Sequence, residues 1–186
     1  MKKIVWICCL AMSVTLAQSQ TKSLFRSQNY VGLLEGNEKS AFQLSTVNGI
    51  QLGTWFLGAG TGIDYYLYRT IPLFFSVNKD LKLAKPGFFF SADGGANFVW
   101  TQKQTDIIGG FGVDYKPGYY WGTGFGYKAL FKNRKSAIIL SMGYNVKQVK
   151  EIQKITTYCL VPPCPIETER YDYRLRRFSF RLGWQF

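Results

Sequence analysis

The sequence predicts an all-β fold, in which eight antiparallel strands run up and down around a closed barrel. Three observations support this prediction. Large apolar residues alternate with small or polar ones over segments of about ten residues, and a period of two is that of a β-strand. The chain is rich in aromatic residues and glycine, with 15 Phe, 12 Tyr, 5 Trp and 19 Gly. No long segment shows the 3.6-residue period of an amphipathic helix.

The first 17 residues are expected to be a cleaved secretory signal peptide. Two lysines precede an apolar run from Ile4 to about Leu16, and Ala17 offers a small residue at the cleavage position. A membrane-anchoring helix is the alternative, but it needs about 20 apolar residues and this run is shorter. Residues 18–186 are then expected to form one barrel domain of an exported protein, with no transmembrane helix after the signal.

The first four expected strands lie in the first half of that domain. The segment "NYVGLLEG", near Tyr30 to Glu35, is the least regular, and its inward and outward positions stay open. In "AFQLSTVNGIQL" and "WFLGAGTGIDYY", large apolar residues alternate mainly with glycine, serine, glutamine and aspartate. In "IPLFFSVN", one face carries Ile71, Leu73, Phe75 and Val77, and the other carries Pro72, Phe74, Ser76 and Asn78.

The last four expected strands keep the alternation over most of their length. They are "FFFSADGGANFVW", "YYWGTGFGYKALF", "AIILSMGYNVK" and "FSFRLGWQF". If the barrel spans a membrane, the apolar face of these strands is predicted to contact lipid. The residues for which we make that prediction are Trp121, Phe125, Ile138, Leu140, Phe180 and Leu182.

The alternation alone fits either a soluble barrel or a barrel in a membrane. A soluble, lipocalin-like ligand-binding barrel would point its aromatic face inward, and it is kept as an alternative. Small residues recur as G-x-G-x-G from Gly58 to Gly62 and from Gly122 to Gly126, which suits a narrow interior. Aromatic residues gather near strand ends, where interfacial girdles form, and short connections alternate with long ones at residues 101–118 and 150–171. These features favour a transmembrane barrel.

The chain resembles the small eight-stranded outer-membrane β-barrel proteins of the OmpA-barrel/OmpX type, in particular the outer membrane protein β-barrel domain family common in Bacteroidetes. The segments that carry the resemblance are "YVGLLEG", "FQLSTVNGIQL", "FLGAGTGIDYY", "IPLFFSVN" and "RLGWQF". It implies a Gram-negative outer-membrane location and a non-enzymatic role in envelope structure, or in surface interaction through extracellular loops. It also implies that Trp184 and Phe186 belong to a C-terminal signal read by the barrel-assembly machinery.

Five charged residues fall on the face that is expected to line the lumen: Asp64, Asp93, Lys128, Lys147 and Arg181. Eight strands leave an interior just wide enough for side chains to fill. Because an isolated buried charge is costly, these groups are expected to pair with one another and to plug the barrel. The alternative is a narrow channel for passive, porin-like transport, in which the same residues line an ion path.

Catalysis is not expected. The chain has no histidine, which excludes Ser-His and Asp-His mechanisms. We expect no cofactor and no metal site, because the mature chain has no histidine and no third cysteine to add to Cys159 and Cys164. The two cysteines, Cys159 and Cys164, are expected to form a disulfide in an oxidising compartment.

The formal net charge of +12 favours binding to an anionic partner. Nucleic acid is not the expected partner of an exported chain, whereas outer-membrane lipid is. Lys150, Lys154, Arg174 and Arg176 are predicted to form a rim that binds lipopolysaccharide head groups, and a rim of ordinary solvated charges is the alternative. The barrel is expected to be a monomer.

Overall fold

The structure, a computed structural model, describes residues 23–37, 39–81, 87–100, 111–132, 136–156 and 165–186. In this part of the chain there are nine strands, all paired antiparallel: β1 (Leu24–Gly36), β2 (Ser40–Leu52), β3 (Trp55–Asp64), β4 (Thr70–Asp80), β5 (Phe88–Val99), β6 (Phe111–Lys116), β7 (Gly118–Leu130), β8 (Ala137–Thr156) and β9 (Ile166–Gln185). Eight of them follow one another around a ring, which closes where β9 pairs with β1. The predicted all-β, eight-stranded antiparallel barrel is therefore confirmed.

The ninth strand, β6, precedes β7 in the chain and extends the line of β7 beyond the ring. Both pair with β8, β6 from Lys116 opposite Lys150 and β7 from Tyr120 opposite Lys147. The β6–β7 side thus has one residue more than the β8 side at this point, next to Pro117, which cannot donate a ladder hydrogen bond. An extra residue on one strand is a β-bulge, which bends the strand.

The predicted long connections are wrong in extent. We expected loops over residues 101–118 and 150–171, but β6 begins at Phe111, β8 runs to Thr156 and β9 begins at Ile166. These segments are rich in charged residues on both faces, so they lack the apolar alternation that marks the wall. They are strands because they pair with one another beyond the ring. Cys159, Cys164 and residues 1–17 lie outside the described residues, so the disulfide and the signal peptide stay predictions.

The two ends of the barrel differ in their connections. Residues 53–54, 81–87 and 131–136 connect strands at one end, which we call the short-turn end. Residues 37–39, 65–69, 100–110 and 157–165 connect strands at the other, the long-loop end. There, β9 loses β1 as a neighbour after the pair Gly36–Arg177, but β8 and β9 stay paired as far as Thr156 and Ile166. Together with β6, residues 148–156 and 166–176 form a three-stranded extension that we call the tall sheet.

The outer face of the ring is apolar and exposed. The six residues predicted to contact lipid are all exposed on this face: Trp121, Phe125, Ile138, Leu140, Phe180 and Leu182. Trp184 and Phe186 are exposed on it as well. Val146 lies opposite Trp121 on the outward phase of β8, but it is buried. In the described residues there is no helix of the length and apolarity needed to cross a membrane.

The interior contains a layer of aromatic and aliphatic side chains, which sequence analysis missed. Its members are Tyr30, Val47, Phe56, Phe74, Phe89, Tyr120 and Ile139, and the inward position of Tyr30 settles the phase of β1. The glycine runs make room for these rings. A Cβ atom at Gly60 would lie 2.6 Å from the Phe74 ring, and one at Gly126 would lie 2.6 Å from the Phe89 ring.

Candidate functional site: the charged lumen and its capped end

The five charged residues predicted to line the lumen all point inward and are all buried. They do not form one network. They lie in three clusters along the barrel axis, at the long-loop end, in the middle and at the short-turn end, and each cluster contains at least one ion pair. The prediction that opposite charges pair inside the barrel is thus realised, but through partners that sequence analysis did not all identify.

The cluster at the long-loop end joins three strands around one carboxylate. Lys147 Nζ on β8 lies 3.1 Å from Asp64 Oδ1 at the end of β3, and the Arg177 guanidinium on β9 contacts Asp64 Oδ2. Arg177 was not among the residues predicted to line the lumen. Its position could have identified it, because it lies two residues before Ser179 and four before Arg181 and therefore points to the same inward face.

The connection between β3 and β4, residues 65–69, folds over this cluster at the long-loop end; we call it the cap. Lys147 Nζ donates to the carbonyl oxygens of Tyr66 and Tyr68, at 2.8 and 3.0 Å, and to Thr70 Oγ1 at 3.1 Å. The Tyr66 N–H donates to Asp64 Oδ1 at 2.8 Å. Burial of Lys147 is complete, so its ammonium group relies on these oxygens in place of water. The lysine therefore ties the cap to the lumen charges.

The middle cluster lies within the aromatic layer. Arg181 on β9 reaches to within 3.6 Å of Asp93 on β5, and its guanidinium lies 5.2 Å from the centre of the Tyr30 ring. Tyr120, the other tyrosine of the layer, packs against Phe74 at 5.3 Å between ring centres. An aromatic face attracts a cation, and the attraction is stronger where water is excluded.

The cluster at the short-turn end is open. Lys128 Nζ lies 2.6 Å from Asp80 Oδ1, and Gln51 Nε2 donates to Asp80 Oδ2 at 3.1 Å. These groups line a cavity of about 410 Å³ together with Arg26 and Gln185. We call it the vestibule. Sequence analysis missed Asp80 because the residue stands next to a turn, where a charge usually reaches solvent.

A polar network separates the vestibule from the aromatic layer. Gln28 Nε2 donates to Gln185 Oε1 at 3.0 Å, while Gln28 Oε1 accepts from the Tyr30 hydroxyl at 2.8 Å and from Asn78 Nδ2 at 3.2 Å. Because these four side chains come from three strands and hydrogen-bond to one another, they obstruct the lumen above the vestibule.

One side of the lumen has only small residues at mid-height. Ser91, Gly124, Gly143 and Ser179 face one another across β5, β7, β8 and β9, and we call this row the polar seam. The hydroxyl oxygens of Ser91 and Ser179 are buried and have no hydrogen-bond partner within the described protein. Because buried polar groups require partners, we expect ordered water to occupy the seam.

The four residues predicted to form the basic rim lie on one face of one sheet. Lys150 and Lys154 on β8 and Arg174 and Arg176 on β9 are all exposed on the outward face of the tall sheet or at its base. Lys150 and Lys154 belong to strand β8, whereas we expected a loop from residue 150 onwards. Lys116 and Arg170 extend the same face, and Asp114 and Asp172 interrupt it.

Among known proteins, distant similarity is found to solved structures alone. No known family model and no curated protein matches the sequence. Among solved structures, the outer membrane protein OprG from Pseudomonas aeruginosa is similar over 88% of this chain and 95% of its own, with 11% identity and a TM-score of 0.49. A similarity this distant carries no argument about function. The function proposed below therefore depends on the geometry of this chain.

Proposed function

We propose that the chain is an integral outer-membrane β-barrel protein without enzymatic activity, which contributes to envelope structure or interacts with surface partners through its long-loop end. The observation that carries this proposal is the reversed polarity of the barrel. Charged residues pair inside it, while side chains such as Phe75, 75% exposed, and Leu140, 63% exposed, project outward from the ring. Apolar side chains that surround a closed barrel require a lipid environment.

This distribution disfavours the soluble, lipocalin-like alternative. A soluble barrel would bury its large apolar residues and expose its ionic ones, whereas Asp64, Lys147 and Arg177 are among the most buried side chains described. A closed ring also leaves no unpaired strand edge inside the bilayer. By analogy with barrels of this type, the short-turn end would face the periplasm and the long-loop end the outside.

Export and assembly complete the proposal. The signal peptide would direct the chain out of the cytoplasm, and Trp184 and Phe186 would contribute to recognition by the barrel-assembly machinery. Both side chains project from the outer face at the end of β9, so they are accessible before the barrel closes against β1. We expect a monomer.

Cysteine labelling tests the membrane proposal. Single cysteines at Phe125 and Leu140 should react with a lipid-soluble maleimide in vesicles, and cysteines at the matched inward positions Gly124 and Ser141 should not. Protection of the outward positions from lipid-soluble reagents, with reaction at the inward ones, would contradict a membrane barrel and support a soluble one.

Lipopolysaccharide is the proposed partner of the basic face of the tall sheet. Support comes from the alignment of Lys150, Lys154, Arg174 and Arg176 on one exposed face above the apolar band, where long cationic side chains can reach lipid phosphates. Neutralising all four with glutamine should weaken lipopolysaccharide association in a salt-sensitive way and leave heat-modifiable folding intact. Unchanged association at low salt would mean that the face is only solvated.

A narrow channel is the second candidate function. The polar seam favours it, because a hydrated row of serines and glycines could carry small ions past the aromatic layer. The cap and the network around Gln28 oppose it, because they obstruct both ends of this path. Planar-bilayer recordings decide between the two: a plugged barrel should show no unitary conductance, and discrete openings would establish a channel.

A further inference from the structure

The inward face of the tall sheet, which overhangs the cap, differs in chemistry from the basic outward face. Tyr115, Glu151 and Tyr171 lie in one row across β6, β8 and β9, and Glu169 follows in the next row. Tyr173 lies on the same face one row closer to the barrel. This face therefore carries tyrosines and carboxylates, whereas the lysines and arginines of the tall sheet point the other way.

The tyrosines form a cluster around Glu151. Tyr68 of the cap lies 5.8 Å from Tyr115 and 5.8 Å from Tyr173, measured between ring centres. Tyr173 also stacks with Tyr171 at 6.2 Å. Tyr68, Tyr115 and Tyr173 are half-buried and Tyr171 is exposed, so part of each ring remains accessible from outside the barrel.

Glu151 is a buried carboxylate with neutral hydrogen-bond donors. It is 6% exposed, and its two oxygens accept from the Tyr68 hydroxyl at 3.1 Å and from Gln153 Nε2 at 2.6 Å. Lys147 lies on the same face of β8, but its ammonium group is held by Asp64 and the cap. Burying a carboxylate without a counter-charge is costly, and a carboxylate can accept more than two hydrogen bonds.

The Glu151 carboxylate also raises the pKa of two neighbouring tyrosines, Tyr68 and Tyr115. Burial raises the pKa of the Tyr68 phenol, and the hydrogen bond to Glu151 raises it further. Burial also raises the pKa of Tyr115, again with a contribution from the charge of Glu151. The phenols therefore stay neutral.

We propose that this face is a binding site for a small organic cation with a primary ammonium group, recognised by Glu151 together with the rings of Tyr68, Tyr115 and Tyr173. The buried carboxylate, which has no cationic partner among the described residues, and the accessible aromatic rings are separate observations that point to the same ligand chemistry. Tyrosine faces attract cations, and a primary ammonium group has N–H donors for the remaining lone pairs of the carboxylate. The proposal goes beyond the function proposed above and does not depend on whether the lumen conducts.

Other ligand classes fit less well. An anion would meet Glu151 and Glu169. A divalent metal ion would require several ligands, and the described residues contain no group of three or more acidic, histidine or cysteine side chains arranged to hold one. A neutral sugar could stack on the rings, but it would leave the charge of Glu151 uncompensated.

Fluorine NMR tests the proposal. Full-length protein labelled with 3-fluorotyrosine would be studied in a non-ionic detergent without an ammonium head group, and the Tyr68 and Tyr115 resonances assigned with Tyr→Phe variants. Titration with n-butylammonium chloride should shift both resonances saturably and leave that of Tyr127, on the outer wall, unchanged. Glu151→Gln should weaken binding at least ten-fold, while Glu35→Gln, a control at an exposed carboxylate on β1, should change it less than two-fold.

Three outcomes would overturn the proposal. They are the absence of saturable shifts in the wild type, equal shifts with sodium chloride or 1-butanol at the same concentration, and unchanged binding by Glu151→Gln. If Glu151→Gln fails to give a heat-modifiable barrel, Tyr115→Leu replaces it. That variant removes one ring and keeps the carboxylate, and it should weaken butylammonium binding several-fold.

Discussion

The two ends of the lumen use the same kind of ion pair in opposite surroundings. At the long-loop end, Asp64 binds two cations beneath the cap, and all three side chains are buried. At the short-turn end, Asp80 binds Lys128 beside an open vestibule, and the Asp80 side chain is 35% exposed. The difference shows that the carboxylate is covered at the long-loop end, whereas at the short-turn end it borders an open cavity.

The difference also assigns separate roles to the two clusters. A buried ion pair adds little to the net stability of a protein, because its attraction is offset by the cost of desolvating both charges. Removal of one partner is nevertheless strongly destabilising, because it leaves the other charge buried and uncompensated. An exposed pair can be replaced by water at small cost. The Asp64 cluster should therefore determine whether the barrel folds with its cap in place, and the Asp80 pair should mainly set the charge of the vestibule.

The largest expected effect comes from Asp64→Asn. The variant leaves Lys147 and Arg177 as two buried like charges without a counterion, and we expect a loss of about 3–5 kcal/mol in the free energy of unfolding. Urea unfolding of protein refolded into lipid vesicles, followed by tryptophan fluorescence, measures it. A loss no greater than that of Asp80→Asn would refute the distinction between the ends.

The sequence was sufficient to predict the ring, because each wall strand must present an apolar face to one side and a small or polar face to the other. The predicted outward positions of Phe125 and Leu140 and inward positions of Asp64 and Lys147 follow from that period. The tall sheet was not predicted. Its strands carry charged or polar residues on both faces, so neighbours such as Lys150 and Glu151 differ in the sign of their charge and not in hydropathy.

The partners inside the lumen were harder to predict than the lumen residues themselves. A period of two assigns a face, but it does not tell which strands are opposite one another or which loop folds inward. Arg177 was on the correct phase and was overlooked beside its exposed neighbours. The cap could not be foreseen, because its hydrogen bonds to Lys147 use the carbonyl oxygens of Tyr66 and Tyr68, which any residues would supply.

The aromatic layer between the two ends offers the next prediction. A methyl group at Gly60 would overlap the Phe74 ring, so Gly60→Ala should destabilise the barrel by about 1–3 kcal/mol. Gly94→Ala is the matched control on β5, since a Cβ there meets no atom within 4 Å. The same urea titration measures both, and equal stability of the two variants would show that the layer is loosely packed.

At the open end, Asp80→Asn should cost clearly less than Asp64→Asn, because Asp80 is 35% exposed and Lys128 lines the open vestibule. The measurable consequence is electrostatic. Removal of one negative charge beside Arg26 and Lys128 should strengthen the attraction of the vestibule for anions. A fluorophore attached at residue 51 reports on this attraction through its quenching by iodide, an anion, and by acrylamide, which is neutral. The variant should increase quenching by iodide and leave quenching by acrylamide unchanged. Equal changes for both quenchers would contradict the prediction.

The smallest expected effect concerns the backbone of the cap. Leu67 has φ of 58°, a left-handed conformation that costs an ordinary L-residue about 1–2 kcal/mol. Glycine adopts this conformation without that cost, but it loses more conformational entropy on folding, about 0.5–1 kcal/mol. The Leu67 side chain is exposed, so little packing would be lost. Leu67→Gly should therefore stabilise the barrel by about 0.5 kcal/mol in the same urea titration. The sign of this effect is opposite to that of Asp64→Asn at the same end. A clear loss of stability would mean that the Leu67 side chain holds the cap in place.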